Sequence, residues 1–181
     1  MNREDLLKIL PTFTLGCGAV AFVLCHRSLA TTSHKLVGGA AKSATEHADL
    51  CSGNADFGCV NAQEVSPIMN TDSAALIASA AKLGGRTCVD ASEALGWTKE
   101  DVNHVFCHQV GRQVNDNFYR ELGLDYSKDF SVYKNLWNMV SAAMPIAMCH
   151  GAKELPLKEK DKVVCLAYGS GLNAFFFGLE W

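Results

Sequence analysis

Three short segments carry groups that can do chemistry. Cys107-His108-Gln109 ends one apolar run, Trp137-Asn138 lies in a stretch without apolar periodicity, and Gly169-Ser170-Gly171 separates two apolar runs near the C terminus. An imidazole can donate or accept a proton, and glycines leave neighbouring backbone amides uncovered so that they can bind an oxyanion. For His108 taken alone, a hydrogen-bonded structural histidine is the commoner role, so the spacing leaves both roles open.

The same residues could also form a dinucleotide-binding loop or a metal site, but the surrounding sequence fits neither. Gly169-x-Gly171-x-x-Ala174 loosely matches the dinucleotide-binding fingerprint, but that motif opens a helix leading to another strand, and only ten residues follow Gly171. We interpret these glycines as a tight hairpin. His104 and Cys107 face opposite sides of one strand, so they cannot share a metal ion with His108, and we predict no metal site.

Composition predicts a single compact domain around these segments. The chain has 181 residues, 49% of them hydrophobic and 19% charged, and its formal net charge is -3. These values exclude a disordered chain and a coiled coil, and they argue against a nucleic-acid partner. The eight cysteines include no C-x-x-C pair, and five lie in apolar runs: Cys17, Cys25, Cys88, Cys107 and Cys165. Free thiols of this kind favour a reducing, cytoplasmic location.

The N-terminal segment offers an alternative location. Arg3 and Lys8 precede the apolar run 13–25, as in a secretory signal, and the chain would then be a secreted disulfide-bonded binding domain. Glu4 and Asp5 lie in what would be the positive region and argue against a signal. The run is also too short to span a bilayer, which takes roughly 20 residues, so we predict no membrane span.

Apolar periodicity and capping residues indicate which elements position the three segments. Asn70-Thr71-Asp72-Ser73 can cap a helix that continues to about Leu95, and Gly123 is a typical cap for a helix over 111–122. The other predicted helices cover 2–10 and 141–151, and the predicted strands cover 12–24, 34–41, 102–107, 131–133, 162–168 and 173–181. A long loop is predicted over 46–70, and a close backbone approach at Gly16-Cys17-Gly18. Strands that alternate with helices indicate an α/β layered domain.

The order and spacing of the motifs match a known family. Phe106-Cys107-His108-Gln109, then Trp137-Asn138-Met139 leading to Pro145, then Tyr168-Gly169-Ser170-Gly171 one strand before the chain end, together resemble the C-terminal half of the ketoacyl synthase III branch of the thiolase superfamily. Upstream, the segment 15–21 is similar to the glycine-rich strand that precedes this half. The resemblance implies a thiolase-like α/β half with a layered, mixed five-stranded sheet and helices on its faces. It divides the chain into 1–11, the end of a truncated preceding helix, and 12–181, a single domain whose best-matched core is 101–181.

The resemblance also implies an activity. The family joins two acyl thioesters: one acyl group is held on a cysteine, and the second thioester forms an enolate that attacks it. His108 and Asn138 match the residues that stabilise the enolate, and the backbone amide of Ser170 matches an oxyanion donor. Acyl-CoA or acyl carrier protein thioesters would be the substrates, with no cofactor. Relatives that condense two long acyl-CoA chains head to head in olefin biosynthesis are preferred narrowly to the type that initiates fatty acid synthesis.

Several residues depart from the family pattern. Trp137 and Met139 replace the glycine and threonine that flank the asparagine, and Gly111 and Gln113 replace an asparagine and an arginine that contact the thioester's carrier arm. None of the eight cysteines occupies the position of the family's nucleophile, and Cys107 points away from His108. The resemblance therefore implies a cysteine-bearing N-terminal half or subunit, a dimer of the complete enzyme and no turnover by this chain alone. A noncatalytic thiolase-like partner subunit is the alternative.

Overall fold

The structure is a computed structural model that describes residues 3–53 and 69–181. Its helices are α1 (Arg3–Ile9), α2 (Ser73–Leu95), α3 (Arg112–Leu122), α4 (Tyr133–Leu136) and α5 (Ala143–Glu154). Its strands are β1 (Lys35–Ser43), β2 (Cys51–Gly53), β3 (Met69–Thr71), β4 (His104–Cys107), β5 (Lys162–Gly169) and β6 (Asn173–Glu180). The described residues also form five short 3-10 turns: Leu10–Thr14, Arg27–Leu29, Thr45–Leu50, Tyr126–Lys128 and Val140–Ala142.

A mixed four-stranded sheet forms the centre of the described chain. Its strand order is β1-β6-β5-β4, with β4 and β5 parallel and the other pairs antiparallel. Helices α2 and α3 cover one face, and α5 covers the β4–β5 part of the other. Successive residues of β5 alternate between these two cores, as the period of two in a strand requires: Val163 and Cys165 pack with α5, whereas Val164 and Leu166 pack with α2. The fold is thus an α/β layered domain, with a mixed sheet and helices on its faces as expected.

Local signals explain where the long helices begin and end. The carboxylate of Asp72 accepts a hydrogen bond from the Ala75 amide at 3.0 Å and caps α2. Gly96 and Gly123 end α2 and α3 with φ values of 66° and 62°, the left-handed conformation that favours glycine. The predicted helices, one capped by residues 70–73 and ending near Leu95 and the other over 111–122, are therefore confirmed.

Three sequence predictions about strands are wrong for the described residues. The sheet has four strands instead of five. The predicted buried strand 12–24 is a 3-10 turn followed by extended, largely exposed chain, with one isolated bridge between Leu15 and Asn138. It joins neither edge of the sheet, and a strand needs a hydrogen-bonded neighbour. The segment 131–133 starts α4, because Val132 adopts the right-handed helical conformation and its carbonyl accepts hydrogen bonds from the Asn135 and Leu136 amides.

The predicted long loop over 46–70 contains short regular structure at both ends. A 3-10 turn at Thr45–Leu50 precedes β2, which pairs antiparallel with β3. The middle of that loop, 54–68, lies outside the described residues. None of the described helices is long and apolar enough to cross a membrane.

Candidate functional site

His108 continues the line of β4 at the end of the parallel pair. Its amide donates to the Leu166 carbonyl at 2.7 Å, which extends the β4–β5 ladder by one residue. Burial lowers the pKa of the imidazole from 6.5 to about 4, and a hydrogen bond with the Val140 backbone opposes this shift. The ring is therefore neutral at pH 7, with one N–H donor and one acceptor nitrogen.

Asn138 is held by a segment far away in the sequence. Its amide donates to the Thr14 carbonyl at 3.1 Å, and its carbonyl accepts from the Gly16 amide at 2.8 Å. Gly16 fits because it has no side chain: a Cβ there would lie 2.3 Å from the Leu136 carbonyl oxygen. The close backbone approach predicted at this glycine is confirmed, although its partner is a loop and not a strand.

The loop around Asn138 has unusual backbone angles. Trp137 has φ 61° and ψ -162°, a region that only glycine enters without strain, and Val140 has φ 51°. The side-chain oxygen of Asn138 accepts from the Val140 amide at 2.9 Å. Among the described residues no acceptor bonds the NH2 group of Asn138, which remains available as a donor.

Ser170 lies at the tip of the hairpin between β5 and β6. The strands pair up to Gly169 and Asn173, and Gly171 turns the chain with φ 108°. The side-chain NH2 group of Asn173 donates to the Ser170 carbonyl at 3.4 Å. This is the tight glycine hairpin that the sequence predicted.

His108, Asn138 and Ser170 all line one pocket of about 150 Å³. The rest of its wall is mainly apolar and comes from β3, α2, α3 and β5, including Met69, Leu76, Ile77, Val114, Phe118 and Tyr168. Phe118 stacks on Tyr168 with ring centroids 4.8 Å apart, so the wall is firmly packed. The structure thus brings the three predicted site residues to a single apolar cavity, with no charged side chain in its lining.

Sequence reasoning missed the contribution of α2 to this pocket. Leu76, Ile77 and Ala80 lie on one face at helical spacing, which is a detectable signal of an apolar stripe. Periodicity alone cannot tell whether such a stripe meets the core or a cavity. Gly111 and Gln113, the two departures near His108, are absent from the lining of the pocket.

The described cysteines lack the features of an activated nucleophile. Cys107 is fully buried, and burial raises its pKa well above the ordinary value. Burial also raises the pKa of Cys165 to about 12. Cys17, Cys25 and Cys149 are exposed and Cys51 and Cys88 half-buried, and none of these five lines the pocket. Cys17 and Cys25 lie in an apolar run of the sequence, but the segment that carries them is largely exposed.

The remaining histidines near these elements have other partners. His104 lies 3.4 Å from the carboxylate of Asp161, and His150 lies 3.4 Å from that of Glu154. In the part of the chain that the structure describes, no three His, Cys, Asp or Glu side chains are grouped to hold a metal ion.

Comparisons with known proteins agree with the fold and the motifs. Residues 92–181 match the family described as 3-oxoacyl-[acyl-carrier-protein (ACP)] synthase III C terminal. The whole chain is 33% identical over 182 residues to the acyl-CoA:acyl-CoA alkyltransferase of Xanthomonas campestris pv. campestris, and covers 50% of that protein. It is 31% identical over 184 residues to the enzyme of the same name from Shewanella oneidensis, with 99% of this chain and 52% of that protein covered.

Other similarities are shorter or structural. A β-ketoacyl-[acyl-carrier-protein] synthase III from Natranaerobius thermophilus is 29% identical over 102 residues, which is 56% of this chain and 31% of that protein. The crystal structure of Xanthomonas campestris OleA with bound lauric acid and lauroyl-CoA superimposes with a TM-score of 0.88 at 31% identity, covering 100% of this chain and 50% of that one. The chain thus spans about half the length of these two alkyltransferases. With its thiolase-like fold and its matched motifs, the chain carries, over residues 92–181, the C-terminal domain of the 3-oxoacyl-ACP synthase III family.

Proposed function

We propose that this chain is the C-terminal half of a condensing acyltransferase and supplies the enolate-stabilising side of its active site. The observation that carries the proposal is the convergence of His108, Asn138 and Ser170 at one apolar pocket. The reaction would join two acyl thioesters by a new carbon–carbon bond, in fatty acid or long-chain olefin biosynthesis. The similarity to two acyl-CoA:acyl-CoA alkyltransferases over the whole chain favours long-chain olefin biosynthesis.

The chemistry needs a donor wherever negative charge develops. When a base of the proposed cysteine-bearing half takes a proton from the carbon next to the thioester carbonyl, an electron pair moves onto the carbonyl oxygen, and two aligned donors stabilise that enolate. A neutral His108 has one ring N–H, and in the tautomer whose proton points away from the Val140 backbone it would donate to the enolate oxygen, while Asn138 has an available NH2 group. The amide of Ser170 would stabilise a second oxyanion, formed when the enolate carbon attacks the acyl group on the nucleophile.

The pocket suits the apolar part of a thioester substrate. Its wall is built of aliphatic and aromatic side chains from α2, α3 and β5, and its polar groups are few. Acyl-CoA or acyl carrier protein thioesters would enter here. Without an arginine at position 113, contacts with the carrier arm would differ from those of the fatty-acid type.

The acylated nucleophile would come from another part of the enzyme. Burial suppresses ionisation of Cys107 and Cys165, and no described cysteine lines the pocket. We propose a cysteine-bearing N-terminal half or subunit, with the complete enzyme forming a dimer. Several large apolar side chains of this chain are exposed, among them Val23, Leu24, Trp137 and Phe175, and such a half would cover them.

Two incubations test the proposal. The purified chain should stay unlabelled with radiolabelled lauroyl-CoA, whereas adding a cysteine-bearing half from a relative should give a labelled partner and a condensed product. Stoichiometric acylation of Cys107 would show that the nucleophile is misplaced. A labelled partner without condensation, under conditions where the two halves form a stable complex, would favour the alternative of a noncatalytic partner subunit.

A further inference from the structure

Gln109 makes the densest set of side-chain hydrogen bonds near the pocket. Its side chain is 1% exposed. Its NH2 group donates to the Phe130 carbonyl at 2.7 Å, and its oxygen accepts from the Val132 amide at 2.8 Å and from the Tyr133 amide at 3.1 Å. A buried amide with this many partners fixes the backbone that it contacts, because breaking the bonds would leave several buried polar groups unpaired.

The contacted backbone leads directly to Asn138. Val132 and Tyr133 form the start of α4, where the helix leaves its first amides without partners, and Val132 has no capping side chain. The oxygen of Gln109 takes that role. Helix α4 ends at Leu136, the Trp137 amide bonds the Tyr133 carbonyl at 2.9 Å, and Asn138 follows. The single short turn of α4 therefore lies between the backbone that Gln109 contacts and Asn138, the second donor.

Gln109 also directly follows His108, the first donor, in the chain. His108 is fixed by the β4–β5 ladder and also interacts with the Val140 backbone, whose amide bonds the side chain of Asn138. His108, Gln109, α4, Asn138 and Val140 thus form a closed path. We infer that Gln109 is a positioning residue that sets the distance between His108 and Asn138 by capping α4. This inference rests on the proposed function for its consequence in turnover.

NMR spectroscopy of the whole 181-residue chain tests the inference without requiring turnover. Gln109→Met keeps the volume and removes all three hydrogen bonds. The Asn138–Val140 loop should then move away from His108, so that the imidazole gains water. Its pKa should rise from about 4 toward 6.5, by about one pH unit or more. The Val140 amide and the Asn138 NH2 resonances should shift at the same time.

A second and a control variant keep the test decisive. Gln109→Asn shortens the side chain by one methylene and should cause the same changes in smaller degree, which decides the matter if Gln109→Met does not fold. Thr87→Val removes another buried hydrogen bond, from the Thr87 hydroxyl to the Leu83 carbonyl at 2.9 Å, outside the pocket lining. It should leave the His108 pKa and the Val140 amide unchanged.

The outcomes separate this inference from the proposed function. A folded Gln109 variant with the wild-type His108 pKa and Val140 resonance would overturn the positioning role. If these NMR changes appear but the reconstituted wild-type protein does not condense thioesters, the positioning holds and the proposed function fails. If wild-type condensation occurs, Gln109→Met should lower kcat at least about tenfold with cysteine acylation intact.

Discussion

The two side-chain donors of the pocket are held by different kinds of structure. His108 extends a regular parallel ladder, and its amide bonds β5 directly. Asn138 lies in an irregular loop between two residues with positive φ, and its backbone bonds a separate segment at Thr14 and Gly16. The position of His108 is therefore set by the sheet. The position of Asn138 depends on several weaker contacts. Substitutions distant from the pocket should therefore displace Asn138 more easily than His108.

Removing either donor should have the largest effect. In a complex with a cysteine-bearing half, His108→Ala and Asn138→Ala should each lower condensation roughly 100-fold or more, because one developing charge loses a donor. Acyl transfer to the partner's cysteine should survive in both. Rapid-quench assays that follow acylation and condensation separately would measure this.

Two controls accompany that measurement. The double variant should lose less than the product of the single losses, as expected when two residues act as a unit. His104→Ala and His150→Ala, whose side chains lie outside the pocket lining, should keep turnover within a few-fold. Condensation by His108→Ala at the wild-type rate would contradict the assignment.

Gly16→Ala should disturb Asn138 more than His108. The new methyl group would lie 2.3 Å from the Leu136 carbonyl oxygen, so the bridge to Asn138 must shift. We expect a loss of roughly tenfold in condensation and of about 1–3 kcal/mol in the free energy of unfolding. The His108 pKa, measured by NMR, should rise from about 4 by less than in Gln109→Met.

A second glycine provides the matched control. Gly85 is in α2, and nothing lies within 4 Å of a Cβ built there. Gly85→Ala should therefore raise the free energy of unfolding by about 0.5–1 kcal/mol. Equal effects of the two substitutions on stability would show that the Gly16 contact does not constrain the loop.

The buried imidazole should make stability depend on pH. Because its pKa falls from 6.5 to about 4 on folding, the unfolded chain binds more protons between these values. The stabilising contribution is complete above pH 6.5 and is lost as the pH falls toward 4. Because His108 is only partly buried, we expect a loss of about 2 kcal/mol. Urea unfolding at pH 7 and pH 4.5 should show a smaller loss for His108→Gln, and an identical loss would exclude this residue as the cause.

Relieving the strain at Trp137 should have the smallest effect. Its side chain is 59% exposed, so Trp137→Gly removes little buried surface while allowing φ 61° and ψ -162°. We expect a gain of up to about 1 kcal/mol in unfolding free energy. Lys160, with φ 70° in a turn outside the pocket, is the control: Lys160→Gly should stabilise similarly but leave the Asn138 resonances unchanged.

Much of the fold follows from signals that are local in the sequence. The Asp72 cap and Gly123 define two helix ends, and β4 is a short, mainly apolar run that His108 follows. The prediction of a strand over 12–24 was wrong because apolar residues alone do not indicate where a hydrogen-bonding partner strand lies. The three residues 131–133 are too few for β propensity to outweigh the backbone contacts that start α4.

The site residues also divide into those that local sequence motifs identify and those that only the packing of distant segments reveals. Sequence motifs led to His108, Asn138 and Ser170, and the structure places all three at one pocket, while their chemical roles stay predictions. The α2 wall and the cap by Gln109 depend on packing between distant segments. No short motif contains that information, although the buried Gln109 directly follows His108 in the sequence.

The bridge between Leu15 and Asn138 has a consequence for the order of folding. It joins segments more than a hundred residues apart, whereas the His108–Leu166 bond depends on a βαβ-like path of about half that separation. Loop closure costs more entropy as the loop lengthens, and contacts with irregular backbone gain little cooperativity from neighbours. We therefore expect the sheet to form with His108 in place before the Asn138 loop settles. In a pulsed hydrogen-exchange experiment during refolding, the His108 amide should become protected earlier than the Gly16 amide. The pocket would then gain its second donor as one of the last events on the way to the native state.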